Sequence, residues 1–124
     1  MNEPHTMVEK EVTLPNGVKC KVHIIQGEQS LNPFNDNVDV IVVLNGERPY
    51  AATFFTMENI DSIMKGYGSS GECLGGLYFW CKNMIIVRQL DYDTILRVIA
   101  DLIESGEFTD AFGGAEVNSA ATKE

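Results

Sequence analysis

The segment Gly68-Ser-Ser-Gly-Glu-Cys-Leu-Gly-Gly76 sets one thiol, Cys73, in a run of glycines, and a thiolate is the strongest nucleophile this chain could offer. Such a nucleophile needs a histidine, a cation or a helix N-terminus to lower its pKa. The chain has two histidines, His5 in the polar N-terminal stretch and His23 in a strand-like stretch, on the face opposite Val22 and Ile24. Neither is set beside Cys73 by spacing, so Cys73 stands as a candidate reactive thiol and no catalytic residue is assigned. The same glycines do not make a phosphate cradle. That motif has a strand before it, a helix after it and a lysine reaching the phosphates, whereas here a predicted helix precedes, a predicted strand follows and Glu72 adds negative charge.

Metal and acid–base chemistry find no better footing. Cys20, Cys73 and Cys81 lack the close pairing of a zinc site, and the nearest two are eight positions apart with no histidine between them. Their odd number suits free thiols in a reducing compartment. Asp36 and Asp39 flank a strand start, Asp91 and Asp93 suit a helix start, and Asp101 with Glu104 suits a solvated helical face. Each carboxylate has a structural role, so no acid–base pair is required. No metal and no cofactor are expected.

The aromatic residues offer more. Tyr50, Phe54, Phe55, Tyr67, Tyr78, Phe79 and Trp80 bracket the first predicted helix. On a strand Tyr78 and Trp80 would share one face and Phe79 the other. One face then packs and the other is free to anchor a protein partner. The strings Tyr50-Ala-Ala-Thr-Phe-Phe-Thr-Met-Glu-Asn-Ile60, Gly71-Glu-Cys-Leu-Gly-Gly-Leu-Tyr-Phe-Trp80 and Met84-Ile-Ile-Val87 resemble those of a group of small uncharacterised bacterial single-domain proteins. That resemblance implies a bacterial, single-domain character and carries no activity or site residues with it. In size, acidity and make-up the chain is also similar, in a general way, to immunity proteins of bacterial toxin systems.

Eighteen acidic residues stand against nine basic ones, a formal charge of −9. Such a charge repels a phosphate backbone and an anionic bilayer, and no basic cluster offsets it, so neither nucleic acid nor membrane is an expected partner. A basic protein is. No apolar run approaches the roughly 20 residues of a bilayer span, and Met1-Asn2-Glu3-Pro4-His5 lacks the pattern of a secretory signal, so a soluble, cytoplasmic protein is expected.

The elements that must hold these residues follow from periodicity. Met7–Leu14 and Val18–Ile24 alternate apolar and polar residues around Pro15-Asn16-Gly17, a hairpin signal. Leu31 and Phe34 are expected to pin the loop 27–37. Val38–Leu44 reads as a central strand buried on both faces, and Asn45-Gly46 turns it into a strand over Tyr50–Phe55. Thr56 caps a helix over about 57–67, and Leu77–Trp80 and Met84–Val87 read as two further strands. Ile95, Val98, Ile99, Leu102 and Ile103 define a helix from an Asp91 cap to Gly106. The predicted fold is α+β: β-β-β-β-α-β-β-α, a mostly antiparallel sheet of about five to six strands with two helices on one face. One domain, 1–112, is expected, with a disordered tail over 113–124.

The function expected from the sequence is a small acidic protein-binding module, an inhibitor or immunity-type protein for a basic partner. Its candidate interface is Tyr78, Trp80, Glu72, Asp101 and Glu104. The alternative is a small-molecule-binding protein or minor enzyme with a pocket near Cys73, and a homodimer burying a sheet face or edge is a third possibility.

Overall fold

The computed structural model describes residues 5–14, 17–27 and 31–114. Five strands form one sheet in the order β1 (His5–Thr13), β2 (Lys19–Gly27), β3 (Asn37–Leu44), β4 (Pro49–Thr56) and β5 (Met84–Val87). The first four make an antiparallel meander, and β5 joins β4 in parallel. The mostly antiparallel α+β architecture read from the sequence is the one observed. Asn45 and Gly46 both take positive φ, +48° and +75°, as a tight hairpin between β3 and β4 requires.

Alternation along each strand divides the sheet into two faces. One carries Val22 and Ile24 of β2, Val38, Val40 and Val42 of β3, Phe54 of β4 and Val87 of β5, all buried. Helix α3 (Tyr92–Ser105) drives Ile95 and Ile99 into this face, and α4 (Phe108–Ala111) adds Phe108. Phe112 follows, stacked on Phe108 at 4.6 Å and edge-on to Phe54 at 6.0 Å. Full burial of side chains this size stabilises by about 1.5–3 kcal/mol each. At the rim, the Lys10 ammonium lies 4.8 Å over the Tyr92 ring. Asp91 caps α3 by accepting from the Thr94 N–H at 2.8 Å, and that bond holds its carboxyl below the usual range.

Helix α1 (Met57–Ser70) makes the crossover from β4 to β5. Its cap, Thr56, is 1% exposed and its hydroxyl accepts from the Asn59 and Asp36 N–H groups at 3.1 and 3.2 Å. Asn59 in turn donates to Asn35 and accepts from Asn37, which ties the loop before β3 to the start of α1. In that loop Leu31 packs on the core as expected, but Phe34 is exposed. The helices divide between the two faces, which corrects the expected placement of both on one face. None of α1's side chains joins the core beneath α3 and α4. Tyr67 instead meets Phe79, and Phe79 packs edge-on at 5.3 Å against Phe55, which alternates to the opposite face of β4 from Phe54.

Two further expectations are corrected. Residues 77–80 form no strand, because a parallel β5 needs the chain carried back across the sheet, and 77–83 is the tail of that crossover. Of the expected tail 113–124, Gly113 and Gly114 are ordered: the Ala51 N–H donates to the Gly113 carbonyl at 3.1 Å and Gly114 bridges Tyr50. Residues 115–124 lie outside the described residues, as do residues 1–4 of the polar N-terminal stretch. His5 and Thr6 belong to β1.

Candidate interaction site

The glycine-rich segment is an ordered reversal of hand. Helix α1 runs on to Ser70 and ends at Gly71, in the left-handed region at φ +86°, whose N–H donates to the Tyr67 carbonyl. The next turn, α2 (Glu72–Gly76), holds Cys73, Leu74 and Gly75 at φ +49°, +54° and +69°, and Gly76 at +89°. Gly75 and Leu77 donate to the carbonyls of Gly71 and Cys73, four residues back, so this is a single turn of left-handed helix. For residues carrying a Cβ that conformation costs roughly 1–2 kcal/mol each. At Gly76 a Cβ would come within 2.1 Å of the Met64 carbonyl oxygen, so this position admits only glycine.

This turn and the strand-like stretch after it present an apolar cluster to solvent. Leu74 and Leu77 are each 74% exposed, Trp80 67% and Tyr78 48%. Phe79 turns inward onto Phe55 and Tyr67. The split expected for a strand, with Tyr78 and Trp80 outward and Phe79 inward, is therefore what the side chains do without a strand being formed. Glu72 is exposed beside them, and its carboxylate accepts from the Ser70 hydroxyl at 3.2 Å. Leu74 and Leu77 belong with this cluster and the sequence reading passed over them. The glycines around them read as a loop, and no pattern in a sequence announces a left-handed turn.

Asp101 and Glu104 lie elsewhere. Both are exposed on α3, over the sheet face opposite the one that Phe79 covers, so the candidate interface separates into two regions. The α3–α4 region is strongly acidic: residues 91–112 carry six carboxylates and one cation, Arg97, which lies 3.8 Å from Asp93. A depression of about 540 Å³ on α3 has Val98 and Leu102 in its floor and Arg97 and Asp101 in its lining. A second, of about 490 Å³, lies at the far end of the sheet beside Lys19, Lys21, Val43 and Asn45. Neither takes in Cys73.

The thiols differ in setting. Cys20 is buried in the core, and burial pushes its pKa up, which keeps it protonated. Cys73 is half-buried on the left-handed turn, with the acidic Glu72 as its neighbour. The Tyr67 hydroxyl is pushed up by burial first, then by Cys73 and Glu72. His23 stands in mid-sheet on β2, in register with Ile41 and two strands from β4. Among the described residues no three or more His, Cys, Asp or Glu side chains gather as a metal site would require, and no helix is long and apolar enough to cross a membrane. Comparison of the chain with protein-family models, curated proteins and solved structures gives no significant match.

Proposed function

We propose that this chain is a protein-binding module, of the inhibitor or immunity kind, for a basic partner. The observation that carries the reading is the cluster of Leu74, Leu77, Tyr78 and Trp80, large apolar side chains held in solvent on and just after a turn whose backbone is itself strained. Exposed apolar residues scattered singly need no explanation, but four within seven positions are the composition of an interface centre. Burying them against a partner recovers the free energy that exposure and strain withhold from the free chain. The acidic α3–α4 region need not touch the same patch. A field summed over the whole molecule raises the rate at which a basic partner arrives, while the apolar cluster sets how long it stays.

The test is co-purification of the intact chain with its partner at low and at high salt, beside the Trp80→Ala variant. A basic protein retained at low salt, released at high salt and lost with Trp80→Ala is the expected result. Failure to retain any protein at either salt removes the proposal, and retention indifferent to salt removes its electrostatic half.

A further inference from the structure

The two edges of the sheet are guarded differently. A free edge presents unpaired N–H and C=O groups to any extended chain, and charged residues are one means by which a fold blunts it. At one edge, β1 carries Glu9, Lys10 and Glu11. At the other, β5 reads Met84-Ile-Ile-Val87, four apolar residues with no charge and no proline. The parallel ladder fixes which of its backbone groups are already paired. The Thr53 N–H donates to the Asn83 carbonyl at 3.1 Å, and Thr53 and Phe55 lie in register with Met84 and Ile86. In that ladder Asn83, Ile85 and Val87 bond to β4, so Met84 and Ile86 direct their backbone groups away from the sheet. Among the described residues nothing pairs with them there. The Ile86 side chain is 51% exposed as well.

We propose that an extended segment of the protein partner adds to this edge as a sixth strand, with carboxylates at its ends. This docking rests on the protein-binding function proposed above and gives the partner's segment its form. Two observations select that occupant. The first is continuity with the apolar cluster. Trp80, 67% exposed, is four residues from Met84, so even a fully extended chain sets their Cα atoms at most about 14 Å apart. Asn83, at φ +53°, bends the chain and shortens that span. A segment paired with β5 therefore ends within reach of Leu77, Tyr78 and Trp80, whose burial adds the free energy that so short a ladder lacks. The second observation is charge. Residues 73–90 contain no carboxylate in a chain of net charge −9, and their two cations, Lys82 and Arg88, stand just before β5 and just after it. Both are exposed, and neither is in an ion pair among the described residues. A segment bonded to Met84 and Ile86 brings its ends to these cations, and a carboxylate there pairs with them. A second copy of β5 would bring the same two cations and no carboxylate, so like charges would meet along the seam. The partner's net charge is a separate quantity. The field of the whole chain draws a basic partner in, while carboxylates in the docking segment set its register.

Two synthetic peptides test the edge without the native partner: acetyl-Glu-Thr-Val-Thr-Val-Thr-Glu-amide, and the same peptide with lysine at both ends. Each is titrated into the full chain and followed by backbone amide NMR. The glutamate peptide is expected to shift the Met84 and Ile86 amides. It should bind about tenfold tighter than the lysine peptide, because the charges at two ends pass from attraction to repulsion. Arg88→Glu should cancel most of that preference. Ile86→Pro removes an outward N–H and leaves the ladder to β4 whole, so it should abolish peptide binding while the circular dichroism stays native. Ile86→Thr, which keeps the N–H, should retain binding. Were the proline variant to lose the native spectrum, the Arg88→Glu result decides alone. No shift at Met84 and Ile86, equal binding of the two peptides, or shifts at β1 instead overturn the sixth strand. So does a sedimentation mass of twice 13.7 kDa that Ile86→Pro reduces to one chain, since the edge is then taken by a second copy. Failure of the peptides with salt-dependent capture of a basic protein intact removes only this docking, and failure of both removes the protein-binding function too.

Discussion

At the scale of single residues, Gly113, like Gly76, marks a place where the fold has no room. A Cβ on Gly113 would meet the Asn83 amide at 2.5–2.8 Å. Asn83 is itself at φ +53°, its carbonyl accepts from the Thr53 N–H at 3.1 Å, and its side-chain amide donates to the Ala111 carbonyl at 3.4 Å. It therefore holds the start of β5 and the end of α4 against the same strand, and Gly113 fills the space that remains. Gly113→Ala must push Asn83 aside, lengthening its bond to Ala111 and disturbing the bond from the Ala51 N–H to the Gly113 carbonyl. We expect a loss of about 1–2 kcal/mol in urea unfolding, the cost of one or two hydrogen bonds of this kind. Gly106, also at positive φ but with open space around it, closes α3 with no such neighbour. A Gly113→Ala variant as stable as the wild type would show that the C-terminal segment is not held through Asn83.

At the scale of elements, the left-handed turn trades stability for presentation. Leu74 occupies the left-handed region without burial to offset it. Glycine adopts that region freely. Leu74→Gly should therefore raise the unfolding free energy by about 1 kcal/mol, the strain relieved, while weakening capture of the partner. Gain in stability with loss of binding is the expected pair of outcomes. A Leu74→Gly variant that is less stable would mean that the leucine packs in a way its exposure does not show. This turn is also where reading the sequence failed. The hairpins were legible because Asn-Gly steps and two-residue alternation are local signals, and α3 was legible because its cap, stripe and closing glycine lie in one stretch. The caps at Thr56 and Asp91 were found for the same reason. The hand of the turn at 72–76 was not legible: a run of glycines permits left-handed backbone without dictating it. Nor was the parallel pairing of β5, since Leu77–Trp80 has the composition of a strand and only the crossover denies it a neighbour. Of the candidate interface, Tyr78 and Trp80 were legible from alternation. That Asp101 and Glu104 lie on the other side of the sheet depends on the handedness of a connection, which no local pattern carries.

At the scale of the whole molecule, the acidity of α3 runs against the stability of α3. The C-terminal end of a helix carries partial negative charge and favours cations. The last turn of α3 has none, and holds Asp101 and Glu104 nearby, with Glu107 and Asp110 following. These carboxylates repel one another and the helix dipole, so folding does not account for them. The pair Asp101→Lys/Glu104→Lys should raise the unfolding free energy, by about 0.3–1 kcal/mol per site at low salt, and the gain should shrink as salt screens the dipole. The same pair should slow association with a basic partner and flatten its dependence on ionic strength, while the dissociation rate stays near that of the wild type. Trp80→Ala should do the reverse, raising the dissociation rate with little effect on association. Stopped-flow binding at several salt concentrations separates the two. If the lysine pair left both the association rate and its salt dependence unchanged, the field of the α3–α4 region would have no part in recognition. The apolar cluster would then account for binding alone.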